Sequence, residues 1–544
     1  MQLLLDKVLY LQRYRACHKF MAYIQHIRKE SIIMKPFWWW TQEQIDFYNE
    51  LGEFYKSIAP EEYRTRYTRE FPFDLFKKIG EKGYLGAAID KEYGGLGLGC
   101  TGSCMLAEQT HFMSPGLGRV LVGNMNGGLR QIIEEGNEAQ KKKFLPGIAA
   151  GETGAVVITE VSAGTDAAGV AMTAEKKGSK YILNGRKRFI VGAGVADRFF
   201  IYARTSNDPE MIKKHKHLTA FIVKRSEVSG ITTEKINEIL GFENVQNGSL
   251  IFDNVEIDEA DRIGEEGQGF KIMMNGLNFE RTNISATTIG WHRAMLNYVI
   301  PYSERRIQFG RPTLDQKPNQ DKITHILERL LLLRDTVYVT AKKWDLEENI
   351  IIDASVLKAV SAAMALESAK EATQIMAGDG INDFYPIKNI YEVAKTEHIA
   401  GGTVEACELT IYKQIFKQMP EDIQWIRREI DPVCGAPVPV YTPVENKVAL
   451  SADSLLDVLA ENYRVNQGLD MTIADIQDYV DADADAIVAA IEGLVADGMA
   501  VAHVNRKTGK PDMARASYAG LSKAHPNEYY QYWKEHIDKD PRRH

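Results

Sequence analysis

Apolar residues in the first third of the chain recur at three- and four-residue spacing, which is typical of helices that bury one face. This pattern predicts helices at 42–55, 74–80, 103–112 and 139–149. From 156 to about 263 the pattern changes to short alternating runs of Ile, Val, Phe and Tyr, separated by Gly and Asn. Such runs predict an antiparallel β-domain, with strands at 181–183, 198–203, 218–223 and 248–252.

Long helical patterns return between 267 and 418. They predict helices at 270–287, 293–305, 320–348 and 351–376, each long enough for a helix bundle. Four consecutive leucines at 330–333 lie inside the third of these helices, as expected of a buried core helix. The predicted fold class is α+β, with an N-terminal helical domain, a central antiparallel β-domain and a C-terminal four-helix bundle.

Beyond the bundle, four prolines between 431 and 444 indicate an extended linker. Helical patterns at 452–463, 472–480 and 485–497, and strand-like runs at 499–504 and 512–518, predict a small winged-helix-like appendage. The expected boundaries are a helical domain at 34–155, a β-domain at 156–265, a bundle at 266–420, a linker at 421–450, the appended module at 451–525 and a tail at 526–544. Residues 1–33 are basic with one serine, so we interpret them as an extension upstream of Met34 rather than a Ser-rich transit peptide.

Composition narrows the functional classes. The 544 residues carry a net charge of −8, with 44% hydrophobic and 26% charged residues, which is typical of a globular protein without overall attraction to nucleic acid. No apolar run approaches the ~20 residues of a membrane span. Five scattered cysteines argue against a disulfide framework, and Cys100 and Cys104 lack enough neighbouring ligands for zinc. We therefore expect a bacterial cytoplasmic protein without a metal, rather than a mitochondrial matrix protein.

The appended module is acidic. It carries twelve Asp and Glu against six Lys and Arg between 446 and 522. Its third predicted helix, 485–497, has three acidic residues and no basic one, whereas a DNA recognition helix needs the reverse. The charge argues against DNA binding and leaves open a subunit contact, a cap near the active site, docking of a partner protein or a purely structural role.

Seven segments between 34 and 418 resemble motifs of the acyl-CoA dehydrogenase family, and they occur in the family's order. They are 85–99 (LGAAIDKEYGGLGLG), 136–152 (GNEAQKKKFLPGIAAGE), 158–166 (ITEVSAGTD), 183–205 (a strand beginning LNGRKRF and ending ART), 302–310 (YSERRIQFG), 374–380 (QIMAGDG) and 399–407 (IAGGTVEAC). The resemblance implies an oxidoreductase of acyl-CoA degradation with non-covalently bound FAD. It also implies a homotetramer, or at least a dimer, that passes electrons to an electron-transferring flavoprotein.

The family's flavin contacts carry over onto residues of the β-domain. The resemblance places Ile158 and Thr159 along the isoalloxazine, and Thr165 near the pyrophosphate and the substrate. Phe189 stands where the family usually has Trp, an aromatic wall against the flavin. Val191 stands where Thr or Ser usually donates a hydroxyl to N5, so only its backbone N–H could serve. Without the flanking motif, the last two residues would indicate an ordinary strand core.

Further contacts are implied in the helical region. Arg306, Gln308 and Phe309 resemble the segment that reaches the flavin of a neighbouring subunit, and a solvated charge cluster is the alternative interpretation. The resemblance also implies contacts of FAD with Gln374 and Gly378 at the adenosine half, and with Thr403 and Glu405 at the phosphates and ribose. The implied substrate contacts are Thr165, Asn278, Arg281 and Gly402.

The implied reaction removes a proton from the α carbon of an acyl thioester and a hydride from the β carbon, so a base must face the α carbon. Many family members place a Glu immediately before the Gly-Thr pair, where this chain has Gly401. The isovaleryl and long-chain types place it in an L-x-x-E-R motif, and residues 277–281 here read LNFER. Glu280 therefore matches the second of these positions for the base. Gly401 matches the absence of Glu from the first position, which accompanies a Glu at the second. A surface Glu-Arg ion pair is the alternative for Glu280.

Two other classes remain open from the residues. An oxidase or a flavin monooxygenase of the same fold would be consistent with Val191. A non-catalytic flavin-binding assembly protein would act through the C-terminal module. Glu280 favours the enzyme, because a scaffold has no reason to keep a base at the alternative position.

Overall fold

The computed structural model describes residues 34–65, 70–114, 117–118, 127–418, 446–465, 470–505 and 508–526. The expected extension at 1–33, the proline-rich segment at 431–444 and all but the first residue of the expected tail lie outside the described residues. The chain divides into two compact units, Met1–Phe416 and Lys417–His544.

The N-terminal region is helical, as predicted. It contains α1 (Gln42–Thr65), α2 (Phe73–Glu81), α3 (Gly99–Met113), α4 (Leu129–Glu135) and α5 (Glu138–Ala149). Helix α1 continues past its expected end at 55 as far as Thr65. Asn137 begins α5 with a capping box, since its side chain accepts from the Gln140 N–H and its own N–H donates to the Gln140 side chain. Helix α3 is buried along almost its whole length, which makes it the central helix of this region.

The central region is a β-domain. It contains β1 (Gly154–Val157), β2 (Thr173–Lys177), β3 (Lys180–Ile190), β4 (Arg198–Arg204), β5 (Leu218–Lys224), β6 (Ile231–Ile236), β7 (Gly248–Asp258) and β8 (Arg262–Ile263), with a short helix α6 (Pro209–Lys213). The strands form one eight-stranded sheet in the order β6-β7-β3-β2-β4-β5-β8, and β1 pairs with β4.

This sheet is mixed, which corrects the prediction of a purely antiparallel domain. The pairs β3–β7 and β4–β5 are antiparallel, whereas β1 runs parallel to β4, and β2 meets β4 in parallel at Thr173 and Arg204. Alternation of apolar and polar residues reports which face a residue occupies, but not the direction of the neighbouring strand. The sequence pattern therefore could not reveal the parallel contacts.

Long helices return after the sheet. They are α7 (Gly269–Arg305), α8 (Lys317–Asp345), α9 (Ile351–Met376), α10 (Ile387–Glu397) and α11 (Val404–Gln418), and a hairpin of β9 (Ile307–Gln308) and β10 (Arg311–Pro312) connects α7 to α8. The helices predicted at 270–287 and 293–305 are in fact the single helix α7. Gly290 interrupts the apolar pattern because α3 crosses there: a Cβ on Gly290 would collide with the backbone of Glu108 and Phe112. Packing therefore explains a glycine inside an unbroken helix.

The four leucines of α8 are divided between core and surface. Leu330 and Leu333 are buried, whereas Leu331 is 42% and Leu332 61% exposed. Successive side chains on a helix point about 100° apart, so four adjacent leucines cannot all face one core. The predicted burial is therefore wrong for Leu331 and Leu332.

A buried polar network joins the N-terminal helices to the bundle. Glu108 on α3 is fully buried and accepts hydrogen bonds of 2.6 Å from the Tyr48 hydroxyl, the Tyr338 hydroxyl and the Arg293 guanidinium. Burial raises the pKa of Tyr48 and of Tyr338 well above the ordinary range, so both hydroxyls stay donors. Because a buried carboxylate requires such partners, the network fixes α1, α3, α7 and α8 against one another.

The second unit has its own small core. It contains α12 (Ala452–Val465), α13 (Ile473–Gln477), α14 (Ala484–Ala496) and α15 (Tyr518–Ala524), with β11 (Val448–Ala449), β12 (Met471–Thr472), β13 (Val480–Asp481), β14 (Ala500–Val504) and β15 (Pro511–Ala516). Strands β12, β15 and β14 form an antiparallel sheet, and β11 pairs with β13. Leu455, Leu459, Ile487 and Ile491 pack together inside it. This order of helices and hairpin is winged-helix-like.

Candidate active site

The turn at Gly401 lies against the helix that carries Glu280. Arg281 on α7 points its Nε toward the Gly401 carbonyl oxygen, at 3.5 Å, and donates to the Ser355 hydroxyl on α9, at 3.2 Å. One turn further along α7, the Ile284 Cδ1 lies 2.6 Å from where a Cβ on Gly401 would stand. Gly401 is therefore next to the segment of α7 that carries Glu280.

Glu280 on α7 lies near Tyr202 of the β-domain. It is partly buried, and its charge contributes, after burial, to raising the pKa of Tyr202 on β4. The Tyr202 hydroxyl also accepts a hydrogen bond from the side-chain amide of Gln131 on α4, at 3.4 Å. The neighbouring Arg281 is buried and directed at Gly401. Neither side chain is exposed, whereas both would be exposed in a surface Glu-Arg ion pair.

Three successive amide groups are available at the turn. Gly401 and Gly402 adopt left-handed φ values of +69° and +92°, and Thr403 begins α11 by accepting the Ala406 N–H on its hydroxyl, at 3.2 Å. Within the described part of the chain, the N–H groups of Gly401, Gly402 and Thr403 meet no protein acceptor. Consecutive free donors at a helix N-terminus form a cradle suited to a phosphate or to an oxygen that gains negative charge.

The predicted flavin loop is held by a buried ion pair. Lys187 on β3 donates to the Ile158 carbonyl at 2.8 Å and pairs with Glu160 at 2.9 Å. Glu160 in turn accepts the N–H groups of Ala171 and Met172. Burial lowers the pKa of Lys187 to about 8, and the Glu160 carboxylate opposes that shift. The loop between β1 and β2 is therefore fixed at its base, while Thr165 at its tip is exposed.

Phe189 is aimed outward by an irregularity in β3. The pairing of β3 with β7 shifts register between Lys187 and Ile190, and Phe189 has a φ of +56°. Its ring is 47% exposed and lies 4.0 Å from the Arg188 guanidinium. A bulge often re-aims a side chain toward a site. Val191, two residues later, is partly buried against the helical core.

The other predicted contacts are more dispersed. Gln374 and Gly378 are exposed at the end of α9, where the Tyr302 hydroxyl of α7 donates to Asp379 at 2.8 Å. Arg306, Gln308 and Phe309 are exposed on the β9–β10 hairpin, and Phe309 is 95% exposed. The contacts within this chain do not bring the hairpin to the site around Glu280, as far as the described residues extend.

Two predicted residues stand apart from Glu280 within the bundle. Asn278 is buried on α7. It is two residues from Glu280, and residues two positions apart on a helix lie on different faces. Glu405 is exposed in the first turn of α11. Its own backbone N–H and the Thr403 hydroxyl hold the pKa of its carboxyl below the ordinary value.

Sequence reasoning missed three residues that shape the site: Glu160, Lys187 and Lys358. Each is a charged residue buried in the structure, and Lys358 on α9 donates to the Gly402 carbonyl oxygen. Lys358 lies at a position of the apolar helical pattern where a core residue would be expected, and this was the available signal. Lys187 lies in a strand that reads as alternating polar and apolar, so it carried no such signal.

Comparison with known proteins places the chain in a family. Its residues match the models of the acyl-CoA dehydrogenase N-terminal domain at 41–152, middle domain at 155–255 and C-terminal domain at 267–416. An acyl-CoA dehydrogenase of Bacillus subtilis is 35% identical over 69% of this chain and 98% of its own. The mitochondrial isovaleryl-CoA dehydrogenase of Arabidopsis thaliana is 30% identical over 75% of this chain and 100% of its own.

A solved structure agrees with this assignment. The butyryl-CoA dehydrogenase of Megasphaera elsdenii superposes with a TM-score of 0.66 and 30% identity, over 70% of this chain and 100% of its own. The chain belongs to the acyl-CoA dehydrogenase family and is an FAD-dependent oxidoreductase. The predicted order of helices, sheet and helices is confirmed. No helix among the described residues is long and apolar enough to cross a membrane.

The residues of the site fit FAD. The free amide of Thr403 at the start of α11 suits an anionic diphosphate. The loop at 158–166 exposes backbone and small polar side chains, and the half-exposed Phe189 ring offers an aromatic surface. When bound, FAD supplies the hydride acceptor that no amino-acid side chain provides.

Proposed function

We propose that this protein catalyses α,β-dehydrogenation of an acyl-CoA thioester to the 2-enoyl-CoA, with Glu280 as the base. The observation that carries the proposal is the contact of α7 with the turn at Gly401. There, Arg281 and Ile284, one and four residues after Glu280, reach Gly401, the position at which many family members carry the Glu. A carboxylate on α7 can thus serve the space that a Glu at 401 would serve.

The residues of the chain divide the work of the reaction. The Glu280 carboxylate takes the proton from the α carbon. The free N–H groups of Gly401 and Gly402 donate to the thioester oxygen, where negative charge develops as that proton leaves. Arg281 keeps the turn in place through the Gly401 carbonyl and Ser355. The proposed substrate contacts, brought over from the family, are Thr165, Asn278, Arg281 and Gly402.

The proposed FAD contacts follow the family pattern. Ile158, Thr159 and Thr165 lie on the loop that the Lys187–Glu160 pair holds at its base. Phe189 provides an aromatic wall and Val191 a backbone N–H. The remaining proposed contacts are Gln374, Gly378, Thr403 and Glu405 in the same chain, and Arg306, Gln308 and Phe309 toward a neighbouring subunit.

The proposed assembly is a homotetramer, with an electron-transferring flavoprotein as the electron acceptor. The exposed β9–β10 hairpin supports a subunit contact. Phe309 is 95% exposed in the single chain, so its ring gains little stabilisation from burial unless a neighbouring subunit covers it. The electron acceptor is proposed from membership of the family.

The deciding experiment replaces Glu280 by Gln. The amide keeps the volume but accepts no proton, so anaerobic bleaching of the flavin by acyl-CoA should slow by roughly 10²–10⁴-fold while the yellow colour remains. A panel of straight, branched and dicarboxylic acyl-CoA thioesters defines the wild-type substrate first. Glu328→Gln, an exposed glutamate on α8, is the matched control and should bleach normally. A Glu280→Gln protein that bleaches near the wild-type rate would show that the base lies elsewhere.

A further inference from the structure

A lysine ammonium is buried against the turn formed by Gly401, Gly402 and Thr403. Lys358 on α9 is fully buried, and its Nζ donates to the carbonyl oxygen of Gly402. Ser355 and Ser361, one turn away on either side, are also buried and bond to Arg281 and to Ser285 on α7. Burial of an ammonium is costly, so a lysine at such a position usually serves a specific partner.

The hydrogen bond from Lys358 sets the direction of the next amide. In a trans peptide the C=O and the following N–H point in opposite directions. When the Gly402 carbonyl faces Lys358, the Thr403 N–H faces away from it, toward the open side of the turn. That N–H meets no acceptor within the described chain. The positive charge also polarises the peptide, which strengthens Thr403 as a donor.

The charge of Lys358 reaches the first turn of α11. The Glu405 backbone N–H and the Thr403 hydroxyl are the main causes that lower the pKa of Glu405, and Lys358 and His398 add to them. Burial, Lys395 and Lys358 lower the pKa of His398, which donates to the Ala362 carbonyl at 3.1 Å. Lys358, Arg281 and His398 therefore lie near this turn, together with the exposed carboxylate of Glu405.

We infer that Lys358 is a positioning residue for the diphosphate of FAD. It orients the Thr403 N–H toward the diphosphate and adds a fixed positive charge behind the same peptide. This inference rests on the proposed contact of Thr403 with the flavin phosphates. It assigns no contact between Lys358 and the substrate or the flavin ring.

A purely structural lysine would behave differently when it is replaced. Methionine has a similar length and no charge, and replacement of a buried charge by an apolar residue is often neutral or stabilising. Lys358→Met should therefore leave the melting temperature of the apoprotein unchanged or higher. The affinity for FAD should fall at least tenfold, because the Thr403 N–H loses its orientation and the positive charge is gone.

The test uses the full-length protein stripped of flavin. FAD affinity is measured by quenching of flavin fluorescence, and ADP and adenosine are compared as competitors. In the wild type ADP should compete much better than adenosine, and in Lys358→Met this advantage should shrink toward one. Lys358→Arg should recover part of the FAD affinity. Lys370→Met, an exposed lysine on the same helix, is the control and should match the wild type.

Two results would overturn the inference. One is an FAD dissociation constant of Lys358→Met within twofold of the wild type. The other is a lowered apoprotein melting temperature with equal losses for ADP and adenosine, which would indicate a structural role. A wild-type protein that takes up no FAD, or is not bleached by any acyl-CoA, would instead contradict the proposed function.

Discussion

Ala377 adopts a backbone conformation that normally requires glycine. It follows α9 with φ +51° and ψ −127°. For a residue with a Cβ, such a conformation costs about 1–3 kcal/mol. We expect Ala377→Gly to stabilise the protein by about 1 kcal/mol, after the greater flexibility of the unfolded chain is subtracted. The free energy of unfolding in urea measures the change.

Replacement of an alanine by glycine in the middle of a helix provides the control for Ala377→Gly. Ala363 is exposed in the middle of α9, where Gly is less favourable than Ala by roughly 0.5–1 kcal/mol. Ala363→Gly should therefore destabilise while Ala377→Gly stabilises. Destabilisation by both would mean that Ala377 is not strained.

Gly401 limits how the base can be moved. Transfer of the carboxylate by Glu280→Gln with Gly401→Glu puts a side chain at φ +69°, with Ile284 Cδ1 2.6 Å from the new Cβ. We expect this double variant to stay inactive in anaerobic bleaching. Addition of Ile284→Ala removes the collision and should restore measurable reduction. Equal activity of the double and triple variants would show that Ile284 does not obstruct the position.

At the scale of single residues, the sequence indicated candidate residues for the chemistry but not the residues that support them. Glu280 as the base, together with Gly401 at the alternative position, could be proposed because both positions belong to motifs with fixed spacing, and it stays a prediction. The roles of Lys187, Glu160 and Lys358 could not, since their partners are 11 to 44 residues away and their burial depends on tertiary packing. A charged residue in a strand or helix normally indicates a solvated face.

At the scale of elements, hydrophobic periodicity predicted whether a segment is a helix or a strand better than it predicted where the segment begins and ends. It identified α9 at its observed bounds, but it divided α7 at Gly290, where close packing against α3 explains the glycine. It also assigned all four leucines of α8 to the core. In both cases the deciding fact is the position of a neighbouring helix, which local pattern does not contain.

The loop between β1 and β2 should respond to pH through Lys187. Its folded-state pKa of about 8 lies below the ordinary 10.5, so the unfolded chain binds more protons between these values. Stability therefore rises with pH in this window, and the cost of the charged lysine is fully present below it. Relative to Lys187→Met with Glu160→Gln, which lacks both charges, the wild type should gain about 2 kcal/mol between pH 7.5 and 9.5. Urea unfolding at both pH values measures the difference, and a constant difference would contradict it.

At the scale of the whole molecule, the proposed site takes its residues from distant parts of the chain. Glu280 comes from α7, the amide cradle from the start of α11, and the flavin loop from the β-domain. The order of these domains could be predicted, because each has its own periodicity. The apolar residues that the structure leaves exposed could not be predicted, since residues such as Leu332 read as core residues in the sequence.

The second unit should be dispensable for flavin binding. Every proposed FAD contact precedes residue 418, and the second unit has its own core. A protein that ends after Gln418 should retain FAD at the wild-type stoichiometry and the same melting transition of the first unit. Absorbance at the flavin band and differential scanning calorimetry test this. Loss of flavin on truncation would show that the module completes the site.

The proposed contact of the hairpin tip with a neighbouring subunit would make flavin binding depend on assembly. Phe309 is 95% exposed, so Phe309→Ser should not lower the melting temperature of the monomeric fold. If Phe309 contacts the flavin of a neighbouring subunit, the substitution should weaken FAD binding about tenfold, which corresponds to about 1.4 kcal/mol of lost contact. Trp38→Ser removes an equally exposed aromatic residue elsewhere and should bind FAD normally. Light scattering should find the flavin-loaded wild type as a tetramer, and a flavin-loaded monomer would contradict the role of the hairpin.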